Sequence, residues 1–350
     1  MTAVSASAAD SASDSDGLRP AGVLVMAHGT PSQRQDISAF YTRIRRGRPP
    51  TPEQLAELEG RYAAIGGLSP LTERTFAQVD GVRAELERRA PGQYRVDYGA
   101  KHAAPLIEEA VATLLGGGAG AGGGGGGAGG GGGGVGVARI IGLVLAPHGA
   151  SLGSQEYLDR AETAIDGKCP FIAVPPWYAE ADLVALLAER VADALGALAA
   201  GADQSEYPVI FTAHSLPVRI REAGDTYPEQ LEESARLVAE ATGLVRWQVA
   251  WQSAGRTPEP WLGPDIRDVV RQLAESGECK GVVVCPIGFV TDHLEVLYDL
   301  DVELAAVATE VGLPLARTAS LNDDRRFIDV LVDVVMAADQ ASAAGDTSGA

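Results

Sequence analysis

The sequence predicts an α/β protein with mainly parallel sheets, and two observations lead to that prediction. Short apolar runs alternate with amphipathic stretches along most of the chain, which is the pattern of strands and helices in regular succession. The chain has 350 residues, which is more than a single hydrophobic core usually supports, and 46% of them are hydrophobic. Two similar lobes are therefore expected, each with its own sheet.

Eight apolar runs are the predicted strands, and the amphipathic stretches between them predict helices. The strands are predicted at 22–27, 94–99, 139–146 and 171–174 in the first half and at 209–213, 247–251, 281–285 and 314–318 in the second. Predicted helices include 52–65, 72–89, 181–198, 229–241 and 294–306. We assign residues 21–170 to an N-terminal Rossmann-like lobe and 171–336 to a C-terminal one.

Three segments depart from this alternation. Residues 1–20 and 337–350 are small and polar, so disordered tails are expected there. Residues 116–136 are nearly all Gly and Ala, which have a high entropic cost of ordering and no side chains to bury. We interpret this segment as a flexible insertion rather than a phosphate loop, because it lacks the Gly-Lys-Ser/Thr ending of such loops.

Composition narrows the class of protein further. The formal charge of −19 argues against nucleic acid and anionic lipid as partners. No run approaches the ~20 apolar residues that span a bilayer, so no membrane insertion is expected. The three cysteines, Cys169, Cys279 and Cys285, form no Cys-x-x-Cys pair, and Cys285 lies in an apolar run where burial is its expected role. A cytoplasmic protein is predicted.

The histidines are the most informative residues. Each follows closely on a predicted strand, and ligands of open α/β sheets bind at the carboxyl ends of the strands. Any one of them alone is equally well explained as a loop-filling polar residue, but five together favour metal or proton chemistry. The five are His28, His102, His148, His214 and His293.

Two charged clusters accompany them. Glu295, Asp299 and Glu303 are spaced i, i+4, i+8 and would share one helix face, either as ligands for an ion such as Fe²⁺ or as a solvated surface. Arg45–Arg48 and Arg61 would form a cationic patch in an acidic chain, which indicates an anionic small ligand or ordinary surface salt bridges.

At this point the motifs resemble those of a known family. Across roughly residues 20–335, without the glycine-rich insertion, the chain resembles ferrochelatases, and most closely the coproporphyrin-using branch of monoderm bacteria. The matching strings are His28-Gly29-Thr30-Pro31, Arg45-Arg46-Gly47-Arg48, Arg61-Tyr62-Ala63-Ala64-Ile65-Gly66-Gly67, Ala213-His214-Ser215-Leu216-Pro217, Trp251-Gln252-Ser253 and Gly288-Phe289-Val290-Thr291-Asp292-His293-Leu294-Glu295.

The resemblance implies two Rossmann-like lobes, each with a four-stranded parallel sheet, and a porphyrin in the cleft between them. It implies that His214 is the catalytic histidine and Glu295 its partner, that both bind the incoming iron, and that Asp299 and Glu303 are accessory residues leading from that site. His28 would face the product iron from the other side of the macrocycle. The implied porphyrin contacts are Arg45, Arg61, Tyr62, Ser69 and Tyr157.

The expected reaction is insertion of Fe²⁺, as a substrate, into coproporphyrin III to give coproheme in haem biosynthesis. No tightly bound cofactor and no iron–sulfur cluster are expected, since the family's cluster-binding members carry a cysteine group near the C-terminus. Well-known coproporphyrin-type members carry a tyrosine where this chain has His28, so an imidazole would face the product iron here. A transient contact with the enzyme that takes the haem product is expected.

Three alternatives remain open from the sequence. The first is a protoporphyrin IX ferrochelatase, because coproporphyrin has four propionates and protoporphyrin two, and the arginine count favours the former only slightly. The second is a sirohydrochlorin-type chelatase with a similar two-lobe plan. The third is a non-catalytic porphyrin or haem carrier, which needs an axial ligand such as His28 but neither His214 nor Glu295.

Overall fold

Strands and helices alternate in the computed structural model, which describes residues 19–116 and 136–347. All eight predicted strands are present, and none of their ends differs from the prediction by more than two residues. The first half contains β1 (Ala21–Ala27), α1 (Ile37–Ile44), α2 (Pro52–Ala64), α3 (Leu71–Arg89), β2 (Tyr94–Ala100), α4 (Ile107–Leu114), β3 (Ile140–Val144), α5 (Ser154–Ile165) and β4 (Phe171–Ala173). The second half contains α6 (Ala181–Ala199), β5 (Val209–His214), α7 (Arg219–Glu222), α8 (Tyr227–Thr242), β6 (Trp247–Gln252), α9 (Ile266–Ser276), β7 (Val282–Cys285), α10 (Leu294–Tyr298), α11 (Ala305–Glu310), β8 (Leu315–Arg317) and α12 (Arg325–Thr347).

Each half forms a four-stranded sheet in which every neighbouring pair is parallel. The strand order is β2-β1-β3-β4 in the first sheet and β6-β5-β7-β8 in the second, so β1 and β5 occupy equivalent central positions. Parallel strands need helical crossovers, which bury both faces of the sheet and explain the continuous apolar runs of the central strands. The predicted fold class is confirmed.

Alternate residues of the central strands face two different cores. Val23 and Val25 of β1 and Phe211 of β5 lie in one large core that the two lobes share, whereas Leu24 of β1 and Ile210 of β5 point to separate outer cores. This alternation is the two-residue period of a strand. Because one core is common to both lobes, the carboxyl ends of the two sheets are held in a fixed relation to each other.

The predicted lobe boundary at residue 171 is wrong. Phe171–Ala173 form β4, which pairs with β3 and completes the N-terminal sheet, so that sheet extends through Ala173. Helix α12 also returns from the second half to pack on α3, β3 and β4. The boundary was misplaced because an edge strand of three residues carries too little pattern to show which sheet it joins.

The expected disordered tail beginning at residue 337 is also wrong over its first part. Helix α12 continues through Thr347, and Asp339 is buried, where it accepts two hydrogen bonds from Arg139 at 2.5 and 2.7 Å and one from the Tyr94 hydroxyl at 2.9 Å. Amino-acid composition does not indicate that a side chain such as Asp339 is buried and hydrogen-bonded. Residues 1–18 of the tail predicted at 1–20, and residues 117–135 of the insertion predicted at 116–136, lie outside the described residues.

Over the described ranges, no helix is long and apolar enough to cross a membrane.

Candidate active site at the facing strand ends

Four of the five histidines lie where the strand ends of the two lobes face each other. His28 follows β1, His102 follows β2, His214 is the last residue of β5, and His293 lies between β7 and α10. Burial lowers the pKa of His28 in the N-terminal lobe, and the charge of Glu295 in the C-terminal lobe opposes that effect. The two residues are therefore close, and the two lobes form the opposite walls of one cleft. The prediction of a shared edge is confirmed for these four.

His148 is the exception. Its ring is buried, stacks on Tyr178 at a centroid distance of 5.4 Å and meets the edge of Tyr227 at 6.2 Å. Burial lowers the pKa of His148 to about 3, so the imidazole is neutral. A cavity of about 260 Å³ lies beside it, lined also by Asp225 and Trp177 but not by the other histidines. Sequence proximity to a strand end therefore did not bring His148 into the main site.

His214 and Glu295 form the central pair of the site. The Nε2 atom of His214 lies 3.6 Å from one carboxylate oxygen of Glu295, and the two side chains are 34% and 39% exposed to the cleft. The Nδ1 atom of His214 is 2.5 Å from the carbonyl oxygen of Ser215, which can only accept, so Nδ1 carries a proton. Nε2 is therefore the nitrogen directed at Glu295.

Backbone and side-chain hydrogen bonds hold this pair in place. Gln252, which pairs with His214 across β5 and β6, donates from its amide to the carbonyl oxygen of Glu295 at 3.0 Å. The Thr212 hydroxyl fixes the same amide by donating to its oxygen at 2.8 Å. The Tyr227 hydroxyl donates to the carbonyl oxygen of His214 at 3.1 Å. Gln252 thus links α10, the helix that carries Glu295, to the strand that carries His214.

His214 carries the proton of this pair in the ligand-free protein. Burial acts to lower the pKa of His214, but the charge of Glu295 and the hydrogen bond to the Ser215 carbonyl outweigh it and raise the pKa to about 9. Burial acts in the opposite sense on Glu295, and the charge of His214 holds its pKa well below the usual 4.5. At neutral pH the pair is therefore an imidazolium and a carboxylate.

His293 belongs to the same cluster and was not among the predicted site residues. Its Nε2 atom lies 3.8 Å from the second carboxylate oxygen of Glu295, and its Nδ1 donates to the carbonyl oxygen of Thr291 at 2.8 Å. Glu295 therefore lies between two imidazoles that both have Nδ1 fixed on backbone carbonyls. The available signal was its place in the sequence, two residues before Glu295.

Asp299 continues the acidic row from Glu295. Burial and the charge of Glu295 raise the pKa of Asp299 to about 6, although a hydrogen bond from the Ser253 hydroxyl opposes the rise. Its other carboxylate oxygen is buried without a hydrogen-bond partner in the described structure and lies 3.7 Å from the guanidinium of Arg61. Asp299 is therefore close to its titration point at neutral pH.

The row was predicted on a regular α-helix, and the helix is not regular. Asp299–Leu304 is π-helical, a winding that is rare and often found at functional sites. In an α-helix, side chains four residues apart are displaced by about 40° around the helix axis. The wider π winding turns less per residue, which offsets this displacement along the acidic row. Glu303 ends the row in an ion pair with Arg267 at 3.7 Å.

His28 and Tyr62 form the opposite wall. The Nδ1 atom of His28 donates to the carbonyl oxygen of Gly29 at 3.0 Å, and its ring contacts those of Phe40 and His102 at centroid distances of 5.9 and 4.8 Å. Desolvation lowers the pKa of His28, so the imidazole is neutral. Because Nδ1 holds the ring proton, the lone pair is on Nε2. The buried Tyr62 hydroxyl lies 3.3 Å from that of Thr30.

The predicted cationic patch lies at one side of the cleft. The Arg45 guanidinium donates to the carbonyl oxygen of Arg48 at 3.2 Å and lies 5.6 Å from the centre of the Tyr41 ring. Arg61 stacks over Tyr298 at 5.0 Å and thus faces the acidic row. Arg45 is free of any carboxylate among the residues described, whereas Arg61 is not.

Ser69 and Tyr157 are both buried. The Ser69 hydroxyl accepts a hydrogen bond from the backbone of Leu71 at 3.3 Å, at the start of α3. The Tyr157 ring lies under the ammonium of Lys101 at 5.0 Å, and burial raises the pKa of its hydroxyl. Both have local structural partners, and their contact with a ligand remains a prediction.

Across residues 19–116 and 136–347, no three His, Cys, Asp or Glu side chains converge as a metal-binding group.

Comparison with solved structures agrees with the fold. SirB from Bacillus subtilis, solved with Fe³⁺, superposes with a TM-score of 0.54 at 10% identity, covering 91% of this chain and 95% of that one. At that identity the likeness concerns the two-lobe fold alone.

Comparison of sequences is more specific. The family model described as ferrochelatase matches residues 20–120 and 134–339. The coproporphyrin III ferrochelatase of Geobacillus kaustophilus (strain HTA426) is 40% identical over 321 residues, which is 91% of this chain and 96% of that protein. The coproporphyrin III ferrochelatase of Bacillus subtilis (strain 168) is 39% identical over 318 residues, 90% of this chain and 96% of that protein. With matches of this extent in both lobes, around a cleft lined by His214 and Glu295, the chain belongs to the ferrochelatase family.

Proposed function

We propose that this protein inserts Fe²⁺ into coproporphyrin III to give iron coproporphyrin III, and that His214 and Glu295 handle the metal. The observation that carries the proposal is the His214–Glu295 pair, 3.6 Å apart and open to the cleft between the lobes. Imidazole nitrogen and carboxylate oxygen are suitable ligands for Fe²⁺. Two protein ligands leave the other positions of the ion to water and to the incoming pyrrole nitrogens.

The hydrogen bond from Nδ1 of His214 supports this role. A metal-binding histidine usually donates its second ring N–H to a carbonyl or carboxylate, which fixes the tautomer and the direction of the lone pair. The carbonyl of Ser215 fixes Nδ1 in this way and leaves Nε2 for the ion. Glu295 supplies the anionic ligand that offsets the charge of Fe²⁺ as its water is removed.

Insertion releases two protons, because two pyrrole N–H bonds are replaced by bonds to Fe²⁺. His214 holds a proton in the ligand-free protein, since its pKa is about 9, and Fe²⁺ takes that proton's place beside Glu295. When the ion leaves Nε2 for the pyrrole nitrogens, the lone pair of the neutral imidazole is free again and accepts one pyrrole proton. Asp299, whose pKa is about 6, is the next carboxylate along the row and the next proton acceptor.

On the opposite wall, neutral His28 faces the macrocycle with its Nε2 lone pair. We propose that it ligates the product iron, and that Arg45, Arg61, Tyr62, Ser69 and Tyr157 line the porphyrin site.

The porphyrin is the finer part of the proposal. Two relatives, each matched by this chain over 96% of its length, carry the name coproporphyrin III ferrochelatase. Arg45 has no carboxylate partner among the described residues. Because a guanidinium binds carboxylates bidentately, Arg45 is available to bind a propionate of the porphyrin. An anaerobic assay with Fe²⁺ and either coproporphyrin III or protoporphyrin IX, followed by visible absorption, should give faster insertion into coproporphyrin. Faster insertion into protoporphyrin would contradict this assignment.

The main test is Glu295→Gln. The amide keeps the shape of the side chain but loses the charge that binds the metal and raises the pKa of His214, so insertion should fall by about 10² or more. Porphyrin binding, measured by fluorescence quenching, should be retained, which separates an insertase from a porphyrin carrier. Glu310→Gln, at an exposed position at the end of α11, is the matched control. Full turnover in Glu295→Gln would refute the proposal.

We further propose that the reaction takes place in the cytoplasm and that the product passes by a transient contact to the enzyme that uses it. All three cysteines are free thiols, as suits a reducing compartment.

A further inference from the structure

Helix α2 bridges the two lobes. It carries Tyr62, its one buried residue, toward the cleft, and its main packing partners are α1 and α10, the helix that carries Glu295 in the other lobe. Its C-terminal end leads into Gly66 and Gly67, with φ of 91° and 136°, conformations that glycine adopts readily. The placement of α2 therefore depends on contacts with the second lobe more than on its own hydrophobic face.

Two residues on one side of α2 make those contacts. Glu57 receives a bidentate hydrogen-bonded ion pair from the guanidinium of Arg256, which lies in the loop between β6 and α9 of the C-terminal lobe. One turn later, Arg61 contacts Glu57 at 3.4 Å and Asp299 at 3.7 Å and stacks over Tyr298. Arg256 thus holds Glu57, and Glu57 in turn holds Arg61.

The interlobe contacts differ in character between α2 and α3. At α3, the buried Gln78 side chain donates to the Thr291 hydroxyl at 3.0 Å and to the Asn322 carbonyl at 2.7 Å. At α2, Arg256 and Glu57 are 68% and 40% exposed. Breaking a buried hydrogen bond leaves an unsatisfied group, whereas an exposed ion pair is readily replaced by water and salt. Opening of the cleft is therefore easiest on the α2 side.

We propose that the Arg256–Glu57 ion pair is a latch that holds α2 closed over the cleft, and that Arg256 is a positioning residue for Tyr62 and Arg61 in porphyrin binding and release. The inference rests on the proposed function in that it takes the porphyrin as the ligand that passes this side of the cleft. Arg256 does not touch the reacting atoms. A flat macrocycle can enter or leave when the pair separates.

The expected effect is modest, because exposed ion pairs contribute about 0.2–1 kcal/mol and bidentate geometry places this one at the upper end. Loss of the pair should therefore increase opening of α2 by about two- to fivefold. Salt should have the same effect on the wild-type protein, because exposed charges are screened.

The test is hydrogen exchange of residues 52–64 in the ligand-free protein. Arg256→Ala should accelerate exchange in α2 by about two- to fivefold, and Arg256→Lys, which keeps the charge without the bidentate geometry, should lie between it and wild type. Arg326→Ala is the matched control, since Arg326 pairs with Glu189 at 55% and 56% exposure on α12 and α6. Equal exchange in α2 for Arg256→Ala and wild type would overturn the latch.

A second measurement connects the latch to the ligand. Dissociation of coproporphyrin III, followed by fluorescence, should be about two- to fivefold faster in Arg256→Ala, and added salt should accelerate release in wild type but little in the variant. KM should rise while the insertion step itself is unchanged. Unchanged release and KM would also overturn the proposal. The exchange experiment needs no turnover, so a wild-type protein that fails to insert iron would refute the proposed function without deciding the latch.

Discussion

The two lobes repeat one topology and place a histidine at the same point in each. His28 follows β1 and His214 ends β5, and both strands are the second in sheets of identical order. In both residues Nδ1 donates to the carbonyl of the next residue, Gly29 or Ser215, so Nε2 is directed away from the strand. Equivalent backbone positions therefore present two imidazoles from opposite walls of the cleft.

Their neighbours make them chemically different. Glu295 lies 3.6 Å from His214 and raises its pKa to about 9, whereas the rings of Phe40 and His102 contact His28 and desolvation lowers its pKa. One imidazole holds a proton that a metal can replace, and the other is neutral with a free lone pair. The nearby carboxylate, rather than the position on the strand, therefore determines the protonation state of each imidazole.

The largest expected effect comes from removing each imidazole in turn. His214→Ala should lower the insertion rate by about 10²–10⁴, because it removes the proposed metal ligand and proton acceptor. His28→Ala should lower it by about fivefold, as expected for one contact of about 1 kcal/mol. Both rates come from the same anaerobic assay with Fe²⁺ and coproporphyrin III.

Porphyrin binding by fluorescence is the control for both variants, since a large loss of binding would indicate a disturbed cleft. Equal rate losses in the two variants would contradict the division of roles between the walls.

The second prediction concerns pH. Metal binding at Nε2 must release the proton of His214, so affinity for Zn²⁺, a redox-inert probe, should rise about tenfold per pH unit below pH 9 and level off above it. The same sign applies to stability, because a raised pKa of about 9 stabilises the folded protein fully below pH 6.5 and this contribution is lost as pH rises through 9. Calorimetric titration at several pH values measures the slope.

Glu295→Gln sharpens this test. Without the carboxylate the pKa of His214 should fall toward its ordinary value of 6.5, so Zn²⁺ affinity should be weaker overall and should stop rising above about pH 6.5. A slope that persists to pH 9 in the variant would show that another group holds the proton.

The sequence was sufficient for the parts of the fold and site that depend on local pattern. Apolar runs located all eight strands, and strand-end position brought His28, His102, His214 and His293 to one cleft. It was insufficient where a property depends on contacts distant in sequence. The return of α12 to the first lobe depends on Asp339 meeting Arg139, and the charge of His214 depends on a carboxylate 81 residues away in the chain.

Arg61 shows the same limit within the site. Its sequence context predicted a porphyrin contact, and the structure also places it 3.7 Å from Asp299 and over Tyr298. No local sequence pattern distinguishes an arginine whose guanidinium is available to bind a ligand from one that is already paired with a buried carboxylate. Arg45, with its backbone and ring contacts, is the better example of the former.

The smallest expected effect is on the His28 wall, where His28→Tyr exchanges the imidazole for a phenol. A tyrosine oxygen can also ligate haem iron, so the rate of insertion should change by no more than about threefold. The visible spectrum of the bound product should nevertheless shift, because phenolate oxygen and imidazole nitrogen differ in the electron density that they donate to iron. His102→Gln, which changes the neighbouring ring but not the residue directed at the product, is the matched control. If His28→Tyr leaves the product spectrum identical to wild type, His28 is not the ligand, and the asymmetry between the two walls rests on His214 and Glu295 alone.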